Sequence, residues 1–237
     1  MKEKKYYTDF FYNNMHDGNT KTAKAMMPSI INYIKPKSVV DVGCGRGIFL
    51  KAVKDVNPNI QILGIDGDYI DRSKLLIKED EFLPYDLSEK LNLERKFDLA
   101  ISLEVAEHIN EEKANVFVDN LVRLSDKVVF SAAIPMQGGT HHVNEQWMSY
   151  WKKKFEERGY RSSYYFRNLF WENEEILPLR RQNIMFYVKN EVYEDRMDEL
   201  HEMKMEEAPC DVIHPDFWCE RANMYKQQID NLQKDNE

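Results

Sequence analysis

The stretch Val39-Val40-Asp41-Val42-Gly43-Cys44-Gly45-Arg46-Gly47 is a β-branched run that breaks into alternating glycines, and Ile48 to Val56 continue with helical spacing. The pattern is strand, glycine turn, helix. Downstream the alternation repeats. Ile60 to Ile65 read as a second strand ending at Asp66-Gly67-Asp68, and Lys96 to Leu103 as a later strand ending at Glu104. Val128 to Ile134 form another, stopped by Pro135 and a Gly138-Gly139 turn. Short apolar runs separated by helical patterns are the mark of βαβ units and a parallel sheet, so the class is α/β.

Farther out, Trp147 to Arg158 is helical and ended by Gly159, while Tyr160 to Arg167 and Asn183 to Val188 suit an antiparallel pair that makes the sheet mixed at one edge. Met1 to Tyr33 is expected to form a helical cap over the sheet's carboxyl end, with Tyr6, Tyr7, Phe10, Phe11 and Tyr12 supplying apolar area. The expected division is a domain over residues 1–190 followed by an acidic linker and a helical tail over 191–237. In the tail Trp218, Ala222, Tyr225, Ile229 and Leu232 step by four and three, the stripe of a helix that packs on its own domain or self-associates.

The chain has 237 residues, 43% hydrophobic and 31% charged, with nine glycines and eight prolines. That composition supports a packed core and excludes collagen-like and disordered classes. No apolar run approaches the ~20 residues of a membrane-spanning helix. The polar start Met1-Lys-Glu-Lys-Lys5 is unlike a secretory signal. Cys44, Cys210 and Cys219 form no C-x-x-C pair, so they read as reduced thiols of a cytoplasmic protein. Much of the net charge of −8 sits in Glu191 to Pro209, where eight acids meet only Arg196 and Lys204. Lys152 to Arg181 instead hold eight basic and five acidic side chains, an excess that suits a small anionic substrate and is too weak for extended nucleic-acid binding.

The glycine turn does not fit a phosphate cradle. A dinucleotide site wants G-x-G-x-x-G, and here the third position falls on Ile48; no P-loop lysine follows either. Glycines that bring bare backbone close, with Asp41 tolerating positive charge, suit a neutral or cationic ligand. Asp66 lies nineteen residues past Gly47, near the ~20-residue offset at which an acid accepts ribose hydroxyls. Together these describe a nucleoside-binding crevice. At this point V-V-D-V-G-C-G-R-G resembles motif I of class I S-adenosylmethionine-dependent methyltransferases, and the resemblance runs from about Ser38 to Gly159. It implies a Rossmann-like, doubly wound, mostly parallel seven-stranded sheet with S-adenosylmethionine as cofactor. It further implies that Gly43, Cys44 and Gly45 line the methionine part, Asp66, Gly67 and Asp68 the ribose, Asp86 and Leu87 the adenine, and that Glu104 faces the amino-acid end.

Glu104, Glu107 and His108 stand at i, i+3 and i+4, so a helix beginning there projects all three from one face toward a divalent ion. The glycine-hinged loop Gly138-Gly-Thr-His141-His142-Val-Asn-Glu145 can close over the same crevice, with His142 as the fourth ligand. The E-x-x-E-H pattern with a distal histidine is similar to metal-dependent small-RNA 2′-O-methyltransferases, and E-x-x-E-H also occurs in ubiquinone-biosynthesis O-methyltransferases. The strings L-E-V-A-E-H-I, F-S-A-A-I-P, Q-G-G-T-H-H-V-N-E-Q-W and R-Q-N resemble a bacterial methyltransferase group linked with surface-glycan (capsule or lipopolysaccharide) biosynthesis.

Three readings of these side chains stand open. They bind a metal; a histidine, His141 or His142 first, takes a proton from a sugar hydroxyl as general base; or Glu107 complements a helix dipole, His108 packs, and Asn144 caps a helix from Glu145 to Arg158. Arg180, Arg181, Gln182 and Asn183 open the last strand pattern, either as donors to phosphate or sugar oxygens or as a solvated strand end. The expected function is O-methylation of a small polar acceptor such as a sugar, nucleotide sugar or capsule precursor. RNA 2′-O-methylation and non-catalytic cofactor binding are the alternatives.

Overall fold

The computed structural model describes residues 9–195 and 209–234. Seven strands form one sheet: β1 (Ser38–Val42), β2 (Gln61–Asp66), β3 (Phe82–Pro84), β4 (Leu99–Leu103), β5 (Lys127–Ser131), β6 (Tyr160–Ser163) and β7 (Met185–Lys189). Their spatial order is β3-β2-β1-β4-β5-β7-β6. The first five strands pair in parallel, and β7 runs antiparallel to both β5 and β6. The sheet is therefore Rossmann-like and mixed at one edge, as the sequence led us to expect.

Strand side chains alternate between two cores because the period of a strand is two residues. Val39, Leu99, Ile101, Val129 and Phe186 face one core, shared with α1 (Asp9–Ile34), α2 (Ile48–Val56) and α5 (Tyr165–Phe170). Val40, Val42, Ala100, Val128, Phe130 and Tyr187 face the other, shared with α3 (Ala114–Leu124) and α4 (Met148–Glu156). Both faces are covered, which is why the strands read as continuous apolar runs. The chain winds outward from β1 to β2 and β3, then returns to β4 on β1's other side. That reversal opens a crevice at the carboxyl ends of β1 and β4, the place where open α/β sheets bind ligands.

Several expectations need correction. The second half of α1 packs beside α2, burying Met26, Met27 and Ile30 in the first core instead of capping the sheet's carboxyl end, while its earlier Asn19 reaches the crevice. Tyr6 and Tyr7 lie outside the described residues, as does segment 196–208 of the acidic linker. Strand β6 stops at Ser163, because the chain beyond it buries Phe166, Arg167 and Phe170 and exposes Asn168 and Leu169, a helical rather than an alternating pattern. α4 begins at Met148, so Asn144 does not cap it; Asn144 is buried, donating its backbone N–H to the carbonyl of Glu107.

Arg180 to Asn183 are neither a strand nor solvated. They belong to α6 (Pro178–Asn183) and are all buried. A short helix, α7 (Asn190–Asp195), follows β7, and the C-terminal helix α8 spans Pro215–Lys234. The stripe named for α8 shares Tyr225 alone with the face that docks. Phe217 is buried and Arg221 partly so, whereas Trp218, Ile229 and Leu232 are more than half exposed. Helix α8 thus docks on its own domain by Phe217, Arg221 and Tyr225, a face whose arginine disguises it in the sequence.

Candidate functional site

A cavity of about 680 Å³ lies at the carboxyl ends of β1, β2 and β4, within the range of ligand sites. Its floor is the glycine turn. Gly43 has φ +86°, and a Cβ there would stand 2.3 Å from a methyl of Val105, so only glycine fits between β1 and the start of the β4 loop. Asp66, at the end of β2, accepts from the Gly45 and Gly67 amides and the Tyr69 hydroxyl, each at 2.7 Å. Burial raises its pKa while those three donors oppose the rise. With about four lone-pair sites on a carboxylate, one direction remains for a ligand hydroxyl.

Asp41 is buried on the same floor and its Oδ2 has no partner. Burial, reinforced by the charge of Asp66 and opposed by Arg180, pushes its pKa up to about 8. Asp41 therefore holds a proton at neutral pH until a cation arrives. Cys44 lines the cavity as a packed thiol, its pKa raised by burial first and by Asp66 and Asp41 after it. Gly67, Asp86 and Leu87 also line the cavity. Asp68 does not: it lies outside the lining, largely exposed, paired with Arg72 at 2.7 Å.

The opposite end is built on strained backbone. Glu104, Met136 and His141 have φ of +54°, +69° and +60°, a region L-residues avoid, and all three flank the cavity end where β4 and β5 finish. Because Glu104 turns there, before the short helical turn of Ala106–His108, its carboxylate leaves the face shared by Glu107 and His108. Glu104 instead accepts from Gln137 Nε2 at 2.6 Å and Asn183 Nδ2 at 3.3 Å. The expected four-residue metal set loses Glu104 for this reason.

Glu107, His108 and His142 remain, each offering a ligand atom within 4.8 Å of the others. His142 Nδ1 donates to Glu145 Oε1 at 2.8 Å, and His108 Nδ1 donates to the His141 carbonyl at 3.2 Å. Those bonds leave both Nε2 atoms as lone-pair carriers, the outer-shell arrangement that fixes histidine ligands. His142 Nε2 lies 4.0 Å from Glu107 Oε1, and both Glu107 oxygens are buried without a hydrogen bond. Burial and then Glu104 raise the Glu107 pKa well above the carboxylate range. Burial and His142 lower the His108 pKa to about 4, so its ring is neutral at pH 7. Orphaned carboxylate oxygens beside two imidazole rings fit a divalent cation such as manganese.

Sequence reasoning missed Asn19, Glu145, Gln137 and Arg221. Arg180 is the one basic residue of Lys152 to Arg181 that lines the cavity; Arg158 pairs with Asp119, Arg167 holds backbone carbonyls at 209–210, and Arg181 pairs with Asp216. The basic excess in that stretch is thus spent mostly on packing. The signal for Glu145 was present: a histidine followed three residues later by an acid is a pair that a turn brings together.

A family model described as a methyltransferase domain matches residues 24–174, from α1 through α5. The chain belongs to that family. In sequence it is 27% identical over 124 residues to ribosomal RNA small subunit methyltransferase C of Buchnera aphidicola subsp. Baizongia pistaciae, a match covering 50% of this chain and 36% of that protein. The chain thus spans little more than a third of that relative. In structure it resembles the methyltransferase domain of bacterial CtHen1-C, with TM-score 0.54 and 18% identity over 72% of this chain and 98% of the other. It also resembles the plantazolicin methyltransferase BpumL in complex with S-adenosylhomocysteine, with TM-score 0.55 and 16% identity over 79% and 93%. At such identities the likeness establishes the fold. The matched segment is a methyltransferase domain. Among the described residues no helix is long and apolar enough to cross a membrane.

Proposed function

We propose that the protein methylates an oxygen of a small polar acceptor, a sugar, nucleotide sugar or related surface-glycan precursor, using S-adenosylmethionine. The observation that carries this reading is a single cavity with a nucleoside acid, Asp66, at one end and the Glu107–His108–His142 cluster at the other. The glycine turn with Cys44 takes the methionine part, Asp66 and Gly67 the ribose, and Asp86 with Leu87 the adenine edge. Asp41, unpartnered and poised near neutrality, answers the positive charge of the cofactor. When bound, S-adenosylmethionine supplies an electrophilic methyl group whose departure leaves a neutral thioether.

The chain's own work is alignment and proton removal. Glu145 holds the His142 ring so that Nε2 faces the cavity, where it takes the acceptor's hydroxyl proton as oxygen attacks the methyl carbon. Glu107, His108 and His142 are also the residues that would hold a divalent cation, which supplies Lewis acidity toward the hydroxyl. In that state His141, lining the same cavity, is the remaining imidazole for the proton.

Labelled methyl transfer from S-adenosylmethionine to a panel of sugars and nucleotide sugars, with and without chelator, tests the proposal. Product with wild type and none with His142→Ala supports it; no transfer to any hydroxyl acceptor, or full activity in that variant, overturns it. The cation-fitting cluster favours a second reading, RNA 2′-O-methylation, which chelator-sensitive transfer to RNA and none to sugars would establish.

A further inference from the structure

Helix α8 lies outside the matched family segment, yet it contributes a wall of the cavity. Asp216 pairs with Arg181 at 3.0 Å, buried His214 bonds the Trp171 carbonyl at 2.8 Å, and the Tyr225 hydroxyl donates to the Met136 carbonyl at 2.9 Å. These anchors, with buried Phe217, set Arg221 on the cavity wall. Its Nη1 comes within 3.6 Å of the place a Cβ would occupy on Gly138, so the guanidinium lies against the glycine loop that carries His141 and His142.

The charge of Arg221 is unanswered. Among the described residues no carboxylate lies within 4 Å of it; its contacts are the sulfur of Met224 at 3.6 Å and the Phe217 ring at 5.5 Å, and its buried Nε has no hydrogen-bond partner. The cavity's buried arginine differs. Arg180 feels Glu104, Glu107 and Asp41, three acids that compensate its charge. A guanidinium backed by an aromatic ring and a thioether, with free N–H groups toward a cavity, is arranged to receive a planar or tetrahedral oxyanion.

We propose that Arg221 recognises an oxyanion, phosphate or carboxylate, on the methyl acceptor, so that the acceptor is an anionic compound held from the C-terminal helix. The proposal rests on the methyltransferase reading above. The cofactor floor is formed by the turn after β1 and the end of β2, whereas Arg221 meets the loop after β5, two strands from β1 in the sheet order. That placement assigns the anion to the acceptor and not to the carboxylate of S-adenosylmethionine. The hydroxyl to be methylated then lies between this anion and the histidine cluster.

The test titrates glucose 1-phosphate, glucuronate and glucose into the full chain saturated with S-adenosylhomocysteine, followed by NMR line broadening, for wild type, Arg221→Gln and Arg221→Lys. Wild type is expected to bind at least one anionic probe about tenfold more tightly than glucose, the scale of one charge-assisted contact, and the preferred probe identifies the oxyanion. Arg221→Gln loses the preference and Arg221→Lys keeps part of it. Equal binding of charged and neutral probes by wild type, an unchanged preference in Arg221→Gln, or a Gln variant that loses S-adenosylhomocysteine instead, overturns the proposal. Failure of wild type to bind S-adenosylhomocysteine would contradict the methyltransferase reading itself, and a thermal melt confirms that each variant folds.

Discussion

Asp41→Asn isolates the electrostatics of the cofactor floor. In the free protein burial holds the Asp41 pKa at about 8, so at pH 7 roughly ten molecules in eleven carry the proton. A cationic ligand beside Asp41 favours the anion, so binding expels that proton. If the bound form requires the carboxylate, affinity falls with the ionised fraction, about fifty-fold between pH 8 and pH 6. Calorimetry with S-adenosylmethionine, repeated in buffers of different ionisation enthalpy, counts the protons. Wild type is expected to release nearly one per ligand at pH 7, and the asparagine variant to bind without that release and with a flatter pH dependence. Identical proton release and pH slopes in the two proteins would refute the assignment of Asp41 as the answering charge.

The same substitution bears on stability. The folded pKa of Asp41 is raised, so between about pH 4 and pH 8 the native state holds a proton that the unfolded chain has lost, and wild-type stability declines as pH rises through that window. Asparagine does not titrate, so the melting temperature of Asp41→Asn relative to wild type should climb from pH 4 to pH 8; a constant difference would contradict it. Gly43→Ala meets Val105 at 2.3 Å on a backbone with positive φ and should cost about 2–5 kcal/mol in chemical denaturation, with no loss arguing against the close approach. Manganese binding followed by electron paramagnetic resonance should expel the Glu107 proton and therefore weaken as pH falls, and Glu107→Gln should abolish it. Unchanged binding in that variant would remove Glu107 from the cluster. Glu145→Gln should lower turnover on the order of tenfold or more by loosening His142, while an unaltered rate would deny Glu145 its orienting role.

What the sequence disclosed was local. The glycine turn, Asp66 and the strands around them depend on spacings of a few residues, and helix α2 occupies the segment Ile48 to Val56 read from its pattern. Side chains whose roles depend on distant partners were hidden. Arg180 to Asn183 read as a polar strand end because their burial depends on Glu104, Gln137 and His214, each at least thirty residues away. Glu104 looked like a metal ligand by helical spacing, but a positive φ, invisible in a residue pattern, turned it toward Gln137. The inner face of helix α8 was hidden because it includes Arg221, which binary patterning counts as outward, and because the bond of its Tyr225 to Met136 spans eighty-nine residues.

The account rests on a nucleoside held at the end of β2, and calorimetry of S-adenosylhomocysteine against wild type and Asp66→Asn measures it most directly. One ligand per chain with wild type, weakened about tenfold or more by the substitution, is the predicted outcome. No heat with wild type, or equal affinity in both proteins, would contradict it.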